Sequence, residues 1–379
     1  MVKVLPFAKS QTIICNTKTT MYFTFKKIKI RNLLITVFVL SVLWTPLHAQ
    51  EHRRSERYLD AYKKYLTAAC PIKKDSIQYF VYFARDRESI TDHPFLSHAM
   101  FKGAQIMYPW RELEPEKGKY DFSIIQQDYA YLKTFNKKLF ITLQDVTFNF
   151  KRKAVPDYTL TAEYDGGAVM QFNNDGKPGG WVAKRWNKKV RERFAQLLHA
   201  LGKAFDGKIE GINLQETSIE VKDSSFSDSD YVTGVKENML ALKQTFPKSI
   251  TMIYANFMPG EWLPGNDKGY LRSIYQYGEQ IGVGLGAPDL MVTRKGQLNH
   301  PLAMMHESRF TVPLGIAVED GNYIGETGDA VEDTTKLHVN IVPLLHAFAK
   351  DFLKVTYMFW SNQEPYFSKD VLRCFRNDQ

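Results

Sequence analysis

Eight β-rich runs, spread along one chain, constrain the fold of this sequence more than any other feature. Most of them are separated by segments of helix length in which apolar residues recur with a 3.6-residue period. Alternating strands and helices indicate a parallel sheet, and eight such units between residues 50 and 379 indicate a closed barrel. We therefore predict an α/β protein with one (β/α)8 domain, a TIM barrel. The predicted strands are residues 78–83, 103–108, 138–144, 208–217, 250–255, 281–286, 312–319 and 355–360.

An open, doubly wound sheet is the alternative architecture for such a pattern. That fold commonly carries G-x-G-x-x-G after its first strand, and other nucleotide-binding sheets carry a Walker sequence that cradles phosphate groups. Neither pattern occurs in this chain. The barrel is therefore the preferred fold.

Two segments do not follow the repeating pattern. Residues 52–69 alternate charged residues with tyrosines, and we predict a surface helix outside the barrel. Residues 145–189 form a long excursion after the third strand. Irregular segments of this length are usually functional in compact domains, so we expect this one to lie over the C-terminal face of the barrel.

The N-terminal residues show the order of charged and apolar residues that marks a secretory signal peptide. A basic stretch precedes the apolar run 33–44, and small Ala49 follows it. We predict a signal peptide over residues 1–49, with an alternative translation start at Met21, and a barrel domain over residues 50–379. An uncleaved membrane anchor is the alternative, although the run is short for a membrane span. The protein is expected to be periplasmic or secreted, without stable membrane insertion after cleavage.

Most of the net charge of +9 belongs to this N-terminal segment. Residues 1–49 hold seven Lys or Arg and no acid, which leaves 43 of the 50 basic residues against all 41 acidic ones. A remainder so close to neutral gives no reason to expect a nucleic-acid surface.

Two cysteines lie beyond the predicted signal, Cys70 near one end of the barrel domain and Cys374 near the other. A secreted protein permits a disulfide between them. Two unpaired buried thiols are the alternative, because a sequence fixes no distance between Cα atoms.

Acidic side chains follow two of the predicted strands at the point where each strand ends. The run 208–217 is apolar at Ile212 and Leu214 and ends near Glu216, and the seventh strand ends on Glu319. Enzymes with (β/α)8 barrels keep their chemistry at the C-terminal ends of the strands. Glu216 and Glu319 are therefore the predicted catalytic residues.

The segment after the second strand resembles a family signature. Residues 108–122 are similar to W-x-x-L-E-P-x-x-G-x-Y-D-F, which follows strand two of clan A glycoside hydrolases and is clearest in the bacterial β-galactosidases. Residues 155–158 resemble the P-x-Y/W-L segment after their third strand. The resemblance implies a barrel with a proton donor after strand four and a nucleophile after strand seven. It thus implies Glu216 as acid/base and Glu319 as nucleophile of a retaining enzyme that acts on a β-linked carbohydrate.

Glycosidic cleavage requires such a pair of carboxyl groups. One protonates the leaving oxygen, and the other attacks the sugar or activates a water molecule. The proton donor needs a pKa raised by burial or by a neighbouring negative charge. We expect about 5–5.5 Å between the carboxyl groups of a retaining pair and about 6.5–9.5 Å for an inverting pair.

Other residues leave alternatives open. Glu364 follows the eighth strand and is predicted as a sugar ligand, with the nucleophile role as its alternative. Asp289 follows the sixth strand and is a weaker candidate of the same kind. The family has Asn directly before its strand-four Glu, where this chain has Gln215. This departure motivates a second hypothesis, a carbohydrate-binding barrel without catalysis.

Aromatic and amide side chains near the strand tips are predicted to bind the sugar. Rings with apolar faces suit the C–H faces of sugars, and amides can bond to sugar hydroxyl groups. Ordinary packing under long loops is the alternative role for each of them. Besides Asp289 and Glu364, the predicted substrate-binding residues are Trp110, Gln144, Asn213, Gln215, Tyr254 and Trp360.

Other kinds of chemistry find little support in the sequence. It contains no H-E-x-x-H, no G-x-S-x-G and no calcium-loop pattern, so we predict no metal and no cofactor. The expected partner is an oligo- or polysaccharide substrate. A polysaccharide lyase, whose unsaturated product would absorb in the ultraviolet, is the remaining alternative reaction.

Overall fold

Eight parallel strands close into a barrel in the computed structural model, which describes residues 58–173, 175–327 and 340–376. In chain order the strands are β1 Gln78–Tyr82, β2 Phe101–Pro109, β3 Lys138–Gln144, β4 Val146–Thr147, β5 Ala168–Phe172, β6 Pro178–Ala183, β7 Gly211–Leu214, β8 Ile250–Tyr254, β9 Gly284–Ala287, β10 Leu314–Val318 and β11 Tyr357–Ser361. The barrel runs β1, β2, β3, β7, β8, β9, β10 and β11, and β11 pairs with β1. The predicted (β/α)8 fold and its eight strands are confirmed.

Helices cover the outside of the barrel. They are α1 Trp110–Leu113, α2 Ser123–Thr134, α3 Lys188–Phe205, α4 Asp228–Thr245, α5 Tyr270–Ile281, α6 Lys295–Asn299, α7 Pro301–Glu307, α8 Ile341–Phe348 and α9 Leu372–Cys374. The two longest begin at side-chain caps: Asn187 accepts backbone N–H groups at the start of α3, and Ser227 does so at the start of α4. Within the described residues, no helix combines the length and the apolar character needed to cross a membrane.

The predicted signal peptide at residues 1–49 lies outside the described residues.

The barrel has a filled interior. The ring of Phe359 on β11 lies 5.1 Å from that of Phe140 on β3 and 6.3 Å from that of Tyr254 on β8, centroid to centroid. Because successive side chains of a strand point to opposite faces, Tyr357 and Phe359 point inward, and Trp360 points outward, toward the helices. The interior cluster comprises Phe80, Tyr82, Phe140, Met252, Tyr254, Ala317, Tyr357 and Phe359.

The long excursion after β3 contains a small antiparallel sheet, in which β6 pairs with both β4 and β5. Gly180 of β6 approaches β4 so closely that a Cβ atom would meet the Thr147 carbonyl oxygen at 1.7 Å. The sheet also contacts the loop after β7, where the Phe172 N–H donates to the Glu220 carbonyl oxygen at 2.9 Å. The excursion is therefore more regular than predicted, and it lies at the C-terminal face, as predicted.

Two local predictions are wrong. The described part of the segment 52–69 has a short 3-10 turn, Ala61–Tyr65, where we predicted a surface helix. Its tyrosines Tyr58, Tyr62 and Tyr65 recur at helical spacing, but Tyr65 is buried against Phe348 of α8 instead of lying on an exposed surface helix. Residues 281–283 were assigned to the sixth strand, but α5 continues to Ile281. Gly282 ends that helix in the left-handed conformation, with φ at 77°.

Cys70 and Cys374 form a disulfide, with their Cα atoms 4.8 Å apart. The two cysteines are 304 positions apart and flank the seam where β1 pairs with β11. At the same point the Ile72 N–H donates to the Cys374 carbonyl oxygen at 2.7 Å. The bond therefore joins the two ends of the described chain across the line on which the barrel closes.

Replacing Cys70 and Cys374 together by Ser should lower the free energy of unfolding by about 2–5 kcal/mol, because the unfolded chain then regains the freedom that a long closed loop denies it. Urea unfolding without reductant measures the difference. Adding reductant should move the wild-type curve toward that of the variant and leave the variant unchanged. Coincident curves for the two proteins would contradict a stabilising role.

Candidate active site

Three carboxyl groups converge at the C-terminal end of the barrel. Glu216 lies two residues beyond β7, Asp289 two residues beyond β9, and Glu319 directly after β10. The C-terminal ends of parallel strands share one rim, so residues distant in sequence meet there. All three side chains are partly accessible from the mouth of the barrel.

The three groups hold their protons more tightly than isolated carboxyl groups do. Burial, followed by the charge of Asp289, raises the pKa of Glu216 to about 8. Burial, followed by the charges of Asp289, Glu216 and Asp320, raises the pKa of Glu319 well above its usual range. Burial also raises the pKa of Asp289. Since each negative charge opposes the next, the cluster retains protons at neutral pH.

Glu216 is held from two sides. The Asn256 amide donates to its carboxylate at 2.6 Å, which partly offsets the rise in its pKa. Arg185 donates from its guanidinium to the Glu216 backbone carbonyl oxygen at 2.8 Å. These contacts fix the position of the Glu216 carboxyl group, and the Asn256 amide stabilises its charged form.

Arg185 is a positioning residue that the sequence analysis missed. It is buried, and its guanidinium pairs with Asp145 at 2.5 and 2.8 Å and donates to the Tyr231 hydroxyl at 2.9 Å. Arg185 lies just beyond β6, in an insertion without helical or strand periodicity, so no pattern in the sequence pointed to it. It connects the insertion to the loop that carries Glu216.

Asn322 connects the other two carboxyl groups. Its amide donates to Asp289 at 2.9 Å and to the Glu326 carbonyl oxygen at 3.0 Å, while its own oxygen accepts the Glu319 N–H at 2.9 Å. Asp289 has a left-handed backbone, with φ at 63°. The loops after β9 and β10 are thus locked together beside the cluster.

Below the carboxyl groups, a buried polar layer fills the barrel. Gln105 donates to Asn213 and to the Tyr254 hydroxyl, both at 3.0 Å, and Thr142 donates to Asn213 at 2.8 Å. Asn213 is fully buried, so the prediction that it contacts the sugar is wrong: its amide is used inside the barrel. Tyr254 is 2% exposed, and burial, together with the charge of Glu319, raises the pKa of its hydroxyl.

Gln215 and Gln144 have different surroundings. Gln215 accepts the Val146 N–H at 3.4 Å and lines a small space with Phe194 of α3 and Val235 of α4. It therefore lies beside the helices, and its predicted role as a sugar ligand stays a prediction. The side-chain oxygen of Gln144 is buried without a hydrogen-bond partner among the described residues. Its predicted role at the tip of β3 stays a prediction.

Trp110 and Trp360 do not reach the cleft, and both predictions of sugar binding are wrong. Trp110 is fully buried, donates to Glu114 at 2.9 Å and packs against Phe194. Glu114 is also buried and pairs with Arg193, so the segment that carries the family-like signature is part of the protein's packing. Trp360 is fully buried because it lies on the outward face of β11.

Other aromatic side chains are exposed at this end of the barrel. Trp262 is 59% exposed and lies parallel to Phe257, with the ring centroids 6.1 Å apart, in the loop after β8. Phe148 and Phe150, in the insertion, are 57% and 52% exposed. These rings, rather than Trp110 and Trp360, are the aromatic surfaces that a sugar can reach.

Glu364 lies apart from the carboxyl cluster. Its side chain is exposed and accepts the Ser368 hydroxyl at 2.5 Å, in the turn that leads to the last helical segment. Its charge affects His93 and Tyr323 and is not among the causes that raise the pKa of Glu216 or Glu319. The carboxyl groups whose charges act on one another at this end of the barrel are therefore those of Glu216, Asp289 and Glu319, without Glu364. Among the described residues, no three or more His, Cys, Asp or Glu side chains form a group that could hold a metal ion.

The raised pKa of Glu216 predicts a pH-dependent stability. The unfolded Glu ionises near pH 4.3, whereas the folded group keeps its proton up to about pH 8. Between these values the unfolded state has lost its proton first, so this group's contribution to stability falls as pH rises. Glu216→Gln carries no charge and should unfold at a higher temperature than wild type at pH 8, by the equivalent of about 1–4 kcal/mol, and at a similar temperature at pH 4.

Thermal unfolding across this pH range checks the prediction. Glu364→Gln removes an exposed carboxyl group and should show no such trend. A constant difference between Glu216→Gln and wild type at all pH values would contradict the elevated pKa.

Comparison with solved structures finds barrels of carbohydrate-cleaving enzymes at low sequence identity. An endo-glycoceramidase II from Rhodococcus sp., solved as a lactosyl-enzyme intermediate, is 12% identical over 78% of this chain and 76% of that chain, with a TM-score of 0.49. Xylanase 10B from Thermotoga petrophila RKU-1, in complex with xylobiose, is 11% identical over 76% and 82% of the two chains, with a TM-score of 0.46. A family 39 glycoside hydrolase from Bacteroides cellulosilyticus WH2 is 11% identical over 75% and 56%, with a TM-score of 0.47.

Comparisons with family models and with curated protein sequences give no match. The barrel is established by its own strand pairings, and similarities this distant carry no conclusion about activity.

Proposed function

We propose that this protein is a retaining glycoside hydrolase that acts on a β-linked carbohydrate, with Glu216 as acid/base and Glu319 as nucleophile. One observation carries the proposal: two carboxyl groups share the mouth of the barrel, where burial, followed by the charges of Asp289 and Glu216, raises the pKa of Glu319. The two roles follow the strand positions that the resemblance of residues 108–122 implies.

In the first step, protonated Glu216 gives its proton to the glycosidic oxygen while the Glu319 carboxylate attacks the anomeric carbon. The bond to the leaving group breaks, and a glycosyl ester forms on Glu319. In the second step, the Glu216 carboxylate takes a proton from a water molecule, which attacks the same carbon and releases Glu319. Two inversions at one carbon give net retention.

The raised pKa of Glu216 suits a proton donor, whereas Glu319, whose pKa is also raised, needs the bound sugar to favour its ionised form. A pKa of about 8 keeps Glu216 protonated at neutral pH, as a proton donor requires. Positive charge that develops on the sugar favours the ionised form of Glu319 and offsets its burial. Once Glu319 is esterified its charge is gone, and Glu216 becomes easier to ionise. The Asn256 amide then stabilises the Glu216 carboxylate in its role as base.

A carbohydrate-binding barrel without catalysis is the second candidate. It is favoured by Gln215, which stands where the family has Asn and lies beside the helices. Turnover separates the two candidates: a binding protein would be stabilised by oligosaccharides and would release no sugar.

We also propose that the protein is exported to the periplasm or the medium. The disulfide between Cys70 and Cys374 supports this location, because such bonds persist in oxidising compartments. N-terminal sequencing of the exported protein, with a first residue near Gln50, would support cleavage after Ala49.

Loss of either catalytic carboxyl group should abolish most turnover. Glu216→Gln and Glu319→Gln should each lower kcat/KM by at least about a hundredfold, because each step needs one acid and one nucleophile. Glu364→Gln should keep most of the activity, since that side chain lies outside the cluster. Near-wild-type turnover in Glu216→Gln would remove Glu216 from the mechanism, and loss of activity in Glu364→Gln would move the nucleophile to the loop after β11.

Azide separates the two roles in the same set of variants. In Glu319→Gly, azide can occupy the vacated space and attack the sugar once, which gives a glycosyl azide of inverted configuration. In Glu216→Gly, azide attacks the ester on Glu319 and gives the retained configuration. If Glu319→Gly gives the retained azide and Glu216→Gly the inverted one, then Glu216 is the nucleophile and Glu319 the acid/base.

Asp289 should set the alkaline limit of activity. Its charge helps to raise the pKa of Glu216, so Asp289→Asn, which can still accept the Asn322 amide, should lower that pKa by about one pH unit. Above its pKa the donor has no proton, so the alkaline fall in kcat/KM should move from near pH 8 to lower pH. Profiles of Asp289→Asn, Glu364→Gln and wild type measure the shift. If the alkaline fall in kcat/KM of Asp289→Asn occurs at the same pH as in wild type, this role of Asp289 is contradicted.

A further inference from the structure

A second polar pocket opens at the same end of the barrel, beside β1 and β2. It has a volume of about 330 Å³, and one carboxylate, Glu112, lies in its wall. Six cationic side chains line it: Arg85, Arg87, Arg111, Lys151, Arg152 and Lys153. So strong an excess of one charge differs from residues 50–379 as a whole, in which 43 basic residues stand against 41 acidic ones.

Two of the six cations are neutralised by the protein itself. Arg87 makes a two-pronged ion pair with Asp128, at 2.6 and 2.9 Å. Arg111 does the same with Asp157, at 3.0 Å for both contacts. These ion pairs fix the wall of the pocket. Because each guanidinium charge is balanced by a carboxylate, Arg87 and Arg111 offer little positive charge to a ligand.

The other four cations make no ion pair with any residue that the structure describes. Lys153 lies over the ring of Trp181, at 4.1 Å from its centroid. Arg85 is partly buried, and burial together with the charge of Arg152 lowers its pKa. Arg152 is exposed and Arg85 is half-buried, and their guanidinium charges repel each other. An anion bound between them would offset both the repulsion and the hydration that Arg85 loses.

This pocket adjoins the carboxyl cluster. Arg85 follows β1 by three residues, so it lies on the same C-terminal rim of the barrel as Glu216 and Glu319. Met107 lines the pocket and also packs against the interior cluster of the barrel. A chain of sugars in the mouth of the barrel can therefore extend into it.

We propose that Arg85 and Arg152 bind an anionic substituent of the substrate, so that the natural substrate is an acidic glycan. The inference rests on the proposed glycosidase function and adds the class of its substrate. Guanidinium groups bind carboxylate and sulfate oxygens in a two-pronged geometry, so uronate and sulfate ester are the two sources of the same chemistry.

Binding to matched oligosaccharides tests the proposal. Isothermal titration of wild type and of Glu216→Gln would use chondroitin oligosaccharides as uronate probe, chondroitin sulfate as sulfated probe and chitooligosaccharides as neutral probe. We expect an acidic probe to bind at least about tenfold more tightly than the neutral one at low salt, and its affinity to fall as salt rises. The tighter of the two acidic probes identifies the anion.

Variants then locate the contact. Arg85→Met and Arg152→Met should each raise the Kd of the acidic probe by about tenfold, the effect of one lost charge-assisted hydrogen bond, and leave that of the neutral probe unchanged. Arg85→Lys should recover part of the affinity, which also guards against misfolding in Arg85→Met. Arg309→Met removes an exposed charge near the opposite end of the barrel and should change neither Kd.

The outcomes separate this inference from the proposed function. If the protein cleaves neutral glycans and Arg85→Met changes neither cleavage nor binding, the proposal of an acidic substrate is contradicted and the proposed hydrolase function stands. Binding of acidic glycans that depends on Arg85, without cleavage of any probe by wild type, would overturn the hydrolase and leave the anion site. A folded protein that binds neither acidic probe more tightly than the neutral one would also overturn the anion site.

Discussion

Closure of the barrel depends on the parallel pairing of β1 with β11, which joins the first and last strands of the described chain. This pairing fixes the direction of every strand and so gathers all the C-terminal ends on one rim. Glu216, Asp289 and Glu319 belong to three different strand-loop junctions, and only a closed barrel makes them neighbours. The disulfide beside the seam reinforces the same constraint by a covalent route.

The carboxyl cluster is an unfavourable arrangement that the surrounding structure maintains. Burial raises the pKa of each group, and neighbouring carboxyl charges raise the pKa values of Glu216 and Glu319 further, so a fold under no other demand would separate them. Amide groups compensate in part: Asn256 donates to Glu216, and Asn322 donates to Asp289. Local instability maintained by specific contacts is typical of a site whose chemistry needs shifted pKa values.

The sequence predicted the architecture well because eight apolar runs and helical stripes are strong, repeated signals. It also located the three carboxyl groups, since each follows a strand directly. It failed for Trp360 because β11 is buried on both faces, so Met358 and Trp360 are as apolar as Tyr357 and Phe359. A strand without polar alternation does not reveal which residues point inward.

Residues whose role depends on contacts made only in the folded protein show no recognisable pattern in the sequence. Nothing in the sequence distinguishes Arg185 from the lysines around it, because its role depends on Asp145 and on a backbone carbonyl that the fold brings to it. Arg85 is equally ordinary in sequence. Its partial burial beside Arg152 arises from two loops that meet only in the folded protein.

The insertion after β3 has a consequence beyond covering the barrel. Lys184 pairs with Asp165 and Asp223, and Trp186 donates to Ser225, so consecutive residues of the insertion hold the loop that follows Glu216. Between them, Arg185 holds the Glu216 backbone and lowers the pKa of its carboxyl group by its charge. Under the proposed function, substrate range and acid strength are therefore coupled through this insertion. A change in the insertion that admits a new glycan would also shift the pKa of Glu216, and a graft of the insertion onto another barrel would transfer that effect.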